Sequence, residues 1–311
     1  MNNYLYANGI LSALETKILD RSKLYVLSGL PKDEFIKTLT SMNYGTFSNS
    51  IFDVIESENK KTKDLFLEIT PNKQDTDLFF LVNDTEVIKV LYKAKIYNVD
   101  LLDDDLMQSY TTTCYKTLKE AVFNANMEGL NKHLVNVLTK IEGVITPHIS
   151  PSQISSFIDS VMYEYARSST NDNVLKKYLK LKIDLTNVEI YFRCKKLGFK
   201  ETSLDETLLN GGLINKSIFV DNYEDTSRFV KTIASFYDEK LTKTISPLLQ
   251  DNKINNLSIK LMGLMKELIS EHKNDIDTIG PFINYYIKKE IEAQNIKLLY
   301  KFKDISINEL L

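Results

Sequence analysis

The chain has 311 residues, 43% hydrophobic and 26% charged, the balance of a soluble globular protein with room for two or three domains and a large core. Its 39 basic and 42 acidic residues leave a net charge of −3, which argues against nucleic-acid binding and against adsorption to anionic lipid by charge alone. Ten glycines and six prolines give little material for tight turns, and Leu, Lys and Ile are the commonest residues, so the expected class is all-α.

In chain order, Leu5, Ile10, Leu11, Leu14, Ile18 and Leu19 recur at helical spacing and predict a helix over Tyr4 to Leu19. The start of this segment lacks a basic region before its apolar part, so no signal peptide is expected. Pro31-Lys32-Asp33-Glu34 reads as a helix start, with Phe35, Leu39 and Met42 on one side. Ser48 to Lys63 is a further helix. Leu78 to Val82 is the densest apolar run, far short of the roughly twenty residues that span a bilayer. A cytoplasmic location follows, with any membrane attachment left to a partner.

Asp103-Asp104-Asp105 invites a metal reading, but consecutive carboxylates diverge on a helix and no calcium-loop pattern surrounds them, so helix capping is the plainer reading. Leu106 to Ile145 reads as a long helical region with breaks at Gly129 and Gly143. Pro147-His148-Ile149-Ser150-Pro151 is the clearest mid-chain break, and Ser152 to Ala166 follows as a helix. Val174 opens a helix that ends at Lys196-Leu197-Gly198, with Gly at the terminus. Asn210-Gly211-Gly212 marks a tight turn; a phosphate cradle would need a strand–loop–helix frame that is missing. Phe229 to Leu249 and Leu257 to Ile269 are expected helices, separated by Asp251-Asn252-Lys253. The last helix runs from Phe282 to about Lys303.

Three twelve-residue stretches look like copies of one helix: Asp84 to Lys95, Asp184 to Lys195 and Glu292 to Lys303. Position one is an acid each time. Position five is Ile88, Val188 or Ile296, position nine Tyr92, Phe192 or Tyr300, and position twelve Lys. Positions one, five, eight and twelve share a face, while the basic tenth position (Lys93, Arg193, Lys301) points away. Spaced about a hundred residues apart, the copies imply three helical domains, at 1–107, 108–215 and 216–311. The leading acids and closing lysines are read as complements to the helix dipole. Lys93, Arg193 and Lys301 are the candidate partner contacts, against a plainer reading as solvated helix surface.

No nucleotide loop, dinucleotide fingerprint, zinc-protease motif or nucleophile elbow is present. His133, His148 and His272 stand at no ligand spacing, and Cys114 and Cys194 read as reduced thiols, Cys194 as a packing residue. No catalytic, cofactor-binding or metal-ligating residue is therefore assigned. The balance favours a scaffold or coupling protein over an enzyme with a site assembled from distant residues.

Several segments in sequence carry a family likeness: Tyr4-Leu5-Tyr6-Ala7; Asn83-Asp84 with Ile88-Lys89-Val90-Leu91-Tyr92-Lys93-Ala94-Lys95; Tyr178 to Asp184 with Asn187-Val188 and on to Gly198; Leu208-Leu209-Asn210-Gly211-Gly212; and Tyr286-Ile287-Lys288-Lys289-Glu290. With these the chain resembles the C subunits of the V-type (A/V-type) rotary ATPases of bacteria and archaea, relatives of the eukaryotic V-ATPase d subunits. It departs from them at Asn8-Gly9, where a basic residue commonly follows the entry motif. The resemblance implies a funnel of three similar helical domains about a pseudo-threefold axis, seated on the cytoplasmic side of the membrane proteolipid ring. It implies a mouth that receives the D and F subunits of the central stalk, one copy per complex, and torque transfer for proton or sodium transport. No nucleotide binding by the chain itself is implied. The alternative is a helical-repeat adaptor of another soluble assembly.

Overall fold

The computed structural model describes residues 3–101, 110–145, 149–250 and 254–302, with 305, 307 and 310. Among these residues the protein is all-helical, with fifteen α-helices and no strand. The aspartate run at 103–105, Pro147, His148, the Asp251–Lys253 loop and Lys303 lie outside the described residues. No helix among the described residues is long and apolar enough to cross a membrane.

The element order repeats. Helix α1 (Leu5–Glu15) precedes α2 (Arg21–Leu27), α3 (Lys32–Ser41), α4 (Ile51–Ile69) and α5 (Lys73–Tyr97), of 7, 10, 19 and 25 residues for α2 to α5. Helices α6 (Tyr115–Asn124), α7 (Lys132–Glu142), α8 (Pro151–Ser169) and α9 (Asn173–Leu197) then run 10, 11, 19 and 25. Next come α10 (Glu201–Thr207), α11 (Lys216–Asp221) and α12 (Thr226–Ile233). In this third series the 19-residue helix is replaced by two, α13 (Lys240–Gln250) and α14 (Leu257–Ser270), before α15 (Gly280–Lys301).

Two compact units result. One comprises residues 1–76 and 266–311 and is built round α15, which packs on α1, α2 and α4. Its core includes Leu24, Leu27, Phe35, Leu39, Val54, Ile55 and Ile296, and Phe66 stacks on Phe282 at 4.6 Å. Residues 280–287 are all buried, so the first half of α15 has no solvated stripe, the mark of a core helix. The other unit, residues 77–265, is organised on α9, which packs on α8 and α10, with Tyr191 stacked on Phe229 at 4.0 Å.

Local chemistry explains the well-placed boundaries. Ser150 and Gln153 form a reciprocal capping box at α8, and Pro151 fits its first turn. Asp172 accepts from the Val174 and Leu175 N–H to start α9.

Three expected helices are shorter or broken, each for a non-local reason. The first ends at Glu15 rather than Leu19, because the Leu19 N–H turns to Glu292 Oε1, 2.7 Å away. The expected helix from Leu106 to Ile145 is non-helical at 110–114, where Thr112 turns to Asp84, and breaks again at Ala125, left-handed at φ 54, with Gly129 following at φ 80. The expected Phe229–Leu249 helix is split by a turn at Tyr237–Glu239, whose three residues are all left-handed, at φ 56, 52 and 61.

Candidate functional site

The three copies recognised in the sequence are the second halves of the three longest helices, α5, α9 and α15. Positions one, five and eight are buried in every copy: Asp84, Ile88 and Leu91; Asp184, Val188 and Tyr191; Glu292, Ile296 and Leu299. The expected apolar stripe is therefore present. The role expected of the leading acids is corrected, because each lies in the middle of its helix, at most 3% exposed, far from the positive end of a dipole. Lys95 and Lys195 do fall in the last turn, as that electrostatic argument requires.

Each buried acid accepts hydrogen bonds from the backbone just ahead of a short helix. Asp84 takes the Thr112 N–H at 2.8 Å and the Thr112 hydroxyl at 2.6 Å, two residues before the N-cap of α6. The Thr112 oxygen in turn accepts from Asn131, the N-cap of α7. Asp184 takes the Leu213 N–H at 2.8 Å and the Ile214 N–H at 3.2 Å, ahead of the Asn215 N-cap of α11. Glu292 takes the Leu19 N–H, ahead of the Asp20 N-cap of α2. A carboxylate can accept several donors and so satisfies backbone groups that no helix ladder reaches. Position one is thus a tie between a long helix and the entry of the following series.

The surroundings of the ties differ. Lys289 bonds Glu292 one turn away and pairs with Glu58 at 2.8 Å, with its ammonium 4.9 Å above the Tyr44 ring. Burial works against the Lys289 charge, but Glu292 and Glu58 outweigh it and hold the ammonium above its ordinary value. Burial likewise pushes the Glu292 carboxyl up, against the pull of Lys289. At Asp184 the third donor is the hydroxyl of Tyr237. Burial pushes this carboxyl up to about 6 although Tyr237, Leu213 and Ile214 all pull it down. A Cβ on Gly212 would sit 1.9 Å from Asp184 Oδ1, so only glycine lets the loop come this close. Asn187, one turn on, adds a two-way bond to Leu209 at 2.8 and 2.9 Å.

The outward ends of the long helices also repeat. Asn98 and Gly198 are left-handed at φ 52 and 66, and the Val99 and Phe199 N–H groups return to the Ala94 and Cys194 carbonyls, both at 3.0 Å. Each end leaves two apolar side chains exposed, Tyr97 with Val99 and Leu197 with Phe199. In the third series Ile305 and Ile307, past α15, pack instead on the core of their own unit.

Of the candidate contacts, Arg193 and Lys301 are exposed. Lys93 is half-buried, and burial with the neighbouring Lys89 holds its ammonium below the usual range. Lys89 itself pairs with Asp159 at 3.2 Å. Tyr237, Thr112, Lys289 and Glu58 were not reached from the sequence; a charged residue on an apolar stripe was the available signal. Among the described residues no group of three His, Cys, Asp or Glu side chains is arranged to hold a metal ion. His133 is buried against the Tyr165 hydroxyl at 2.9 Å, Cys194 is buried and Cys114 exposed.

The molecule these features describe is a helical-repeat protein whose recurring geometry lies in structural ties rather than in a reaction centre. Residues 7–308 match the model of the ATP synthase (C/AC39) subunit family, and the chain belongs to that family. It is 25% identical to the A-type ATP synthase C subunit of Thermococcus kodakarensis, over 96% of this chain and 86% of that one. It is 21% identical to the protein of the same name from Methanosarcina acetivorans, over 100% and 91%, and 20% identical to that of Methanosarcina mazei, over 99% and 91%. Membership makes the chain a non-catalytic subunit of a rotary ATP synthase complex, where it partners other subunits.

Proposed function

We propose that the chain links the central stalk, made of the D and F subunits, to the membrane proteolipid ring on its cytoplasmic face and carries torque between them. In this reading 1–107, 108–215 and 216–311 are three helical domains of a pseudo-threefold funnel, present once per complex. The observation that carries it is the recurrence of the buried-acid tie: Asp84 to the entry of the second series, Asp184 to the third, Glu292 back to the first. Such a cycle, stiffened by close-packed interiors, suits a part that must transmit force without deforming. Partner contacts fall to basic groups toward the ends of the long helices, the exposed Arg193 and Lys301 and the half-buried Lys93, facing acidic groups of the stalk or ring.

Reconstitution tests the reading. Isolated ring and D–F stalk are expected to join only when this chain is added, and charge reversal at all three basic positions is expected to weaken that assembly. Joining without the chain would overturn the linking role. Unchanged assembly after reversal would remove these three residues from the contact. A stable complex that excludes ring and stalk would point instead to a helical adaptor.

A further inference from the structure

The dipeptide Asn-Gly occurs twice in the chain, at Asn8-Gly9 and at Asn210-Gly211, and the fold treats the two in opposite ways. Asn8 and Gly9 lie inside α1, where the helix ladder engages the Gly9 N–H. Asn8 is half-buried, and its amide oxygen accepts from the Ser12 hydroxyl at 3.3 Å. Asn210 stands exposed in the loop between α10 and α11. Among the described residues neither its side chain nor the Gly211 N–H makes a hydrogen bond.

That loop is an arch with fixed feet. Leu209 is bonded both ways to Asn187, and the Leu213 and Ile214 N–H groups go to Asp184. Between the feet, among the described residues, one bond holds the crown, from Arg167 Nη1 to the Gly211 carbonyl at 2.9 Å. Asparagine is one of the thermally labile side chains, and Gly211, at φ 99, has no Cβ to shield its nitrogen.

We propose that Asn210 is a site of spontaneous modification, where the chain converts to isoaspartate or aspartate as it ages, and that isoaspartate there loosens the Asp184 tie. The reaction needs only water. The Gly211 nitrogen, having lost its proton to hydroxide, attacks Asn210 Cγ. The new C–N bond closes a five-membered imide, and the side-chain nitrogen leaves as ammonia. Water then opens the imide at either carbonyl. Opening at Cγ leaves aspartate; opening at the main-chain carbonyl leaves isoaspartate, whose backbone runs through the side-chain methylene. No oxidation or reduction is involved.

Ring closure requires the peptide to turn until its nitrogen meets Cγ. In the arch that turn strains at most the Arg167 bond, whereas in α1 it breaks the helix. Isoaspartate then lengthens the main chain between the feet by one carbon, so the arch no longer matches the span from Asn187 to Asp184.

Ageing the intact chain at neutral and mildly alkaline pH, native and unfolded in guanidinium, tests this, with tryptic peptides 1–17 and 201–216 sequenced by mass spectrometry. Unfolded, the two asparagines should convert at similar rates, because the dipeptide is the same. Native, Asn210 should convert at least about tenfold faster than Asn8, the factor that ~1.4 kcal/mol of helix opening imposes. Both rates should rise with hydroxide. Equal native rates, or a native Asn210 that stays intact under conditions that convert it in guanidinium, would overturn the proposal. Labelling with an isoaspartyl methyltransferase identifies the product at 210. Hydrogen exchange of the Leu213 and Ile214 amides should quicken in aged wild-type protein but not in N210S aged beside it. Unchanged exchange in a chain that carries isoaspartate at 210 would refute the loosening.

Discussion

Glu292 and Asp184 hold corresponding places on α15 and α9, and both bind the backbone ahead of a short helix, yet their electrostatics are opposed. Glu292 shares its burial with Lys289, and Glu58 completes the set. Asp184 has a tyrosine and amides. A buried ion pair adds little net stability when intact, but removing one member leaves a charge without compensation. A charge held by neutral dipoles carries the reverse risk, since neutralising it relieves a desolvation cost. Burial of a carboxylate is therefore no guide to the effect of deleting its charge; the charge of its partner decides.

That contrast orders the expected effects. Lys289→Met strands Glu292 and Glu58 and should cost about 3–5 kcal/mol in urea unfolding. D184N at pH 7 should cost less, about 1–3 kcal/mol, because either oxygen that the amide nitrogen replaces accepts a backbone N–H and would leave that donor unpaired. Equal losses from the two substitutions would break the comparison. Gly212→Ala drives a methyl into the Asp184 carboxylate and should lower stability by about 1–3 kcal/mol in thermal unfolding. Gly143→Ala, where the nearest atom is 3.7 Å away and φ is ordinary, should lose nothing. At the repeated helix ends, Gly198→Ala should cost about 1 kcal/mol for its left-handed backbone, and Asn98→Gly should gain less than that. The smallest effect on folding is expected at Arg193→Glu, within about 0.5 kcal/mol by denaturant titration, since its side chain is exposed. Any loss of rotor assembly in that variant then reports contact rather than misfolding.

The Tyr237 turn links the two halves of this contrast. Left-handed backbone costs a non-glycine residue roughly 1–2 kcal/mol, and three occur in succession. The bond from Tyr237 to Asp184 offsets part of that cost and fixes where the expected helix breaks. The third series, which carries this turn, is also the one whose 19-residue helix is divided.

What was legible in the sequence is what short-range physics governs. The helical period of apolar residues marked the pairs Ile88 and Leu91, Val188 and Tyr191, and Ile296 and Leu299, and these six are buried. Gly198 marked a helix end because its φ of 66 suits glycine. The same local patterns, read together, carried the resemblance to the family the chain belongs to. The tertiary structure alone decided what the acids do. Their partners lie 28, 29 and 273 residues away along the chain, at Thr112, Leu213 and Leu19. It also decided why a helix stops at Glu15 and another at Ile233, since those chain segments turn to reach a carboxylate on a distant helix. Periodicity registers which face a residue occupies; whether a polar group on that face is satisfied depends on which backbone the fold brings to it.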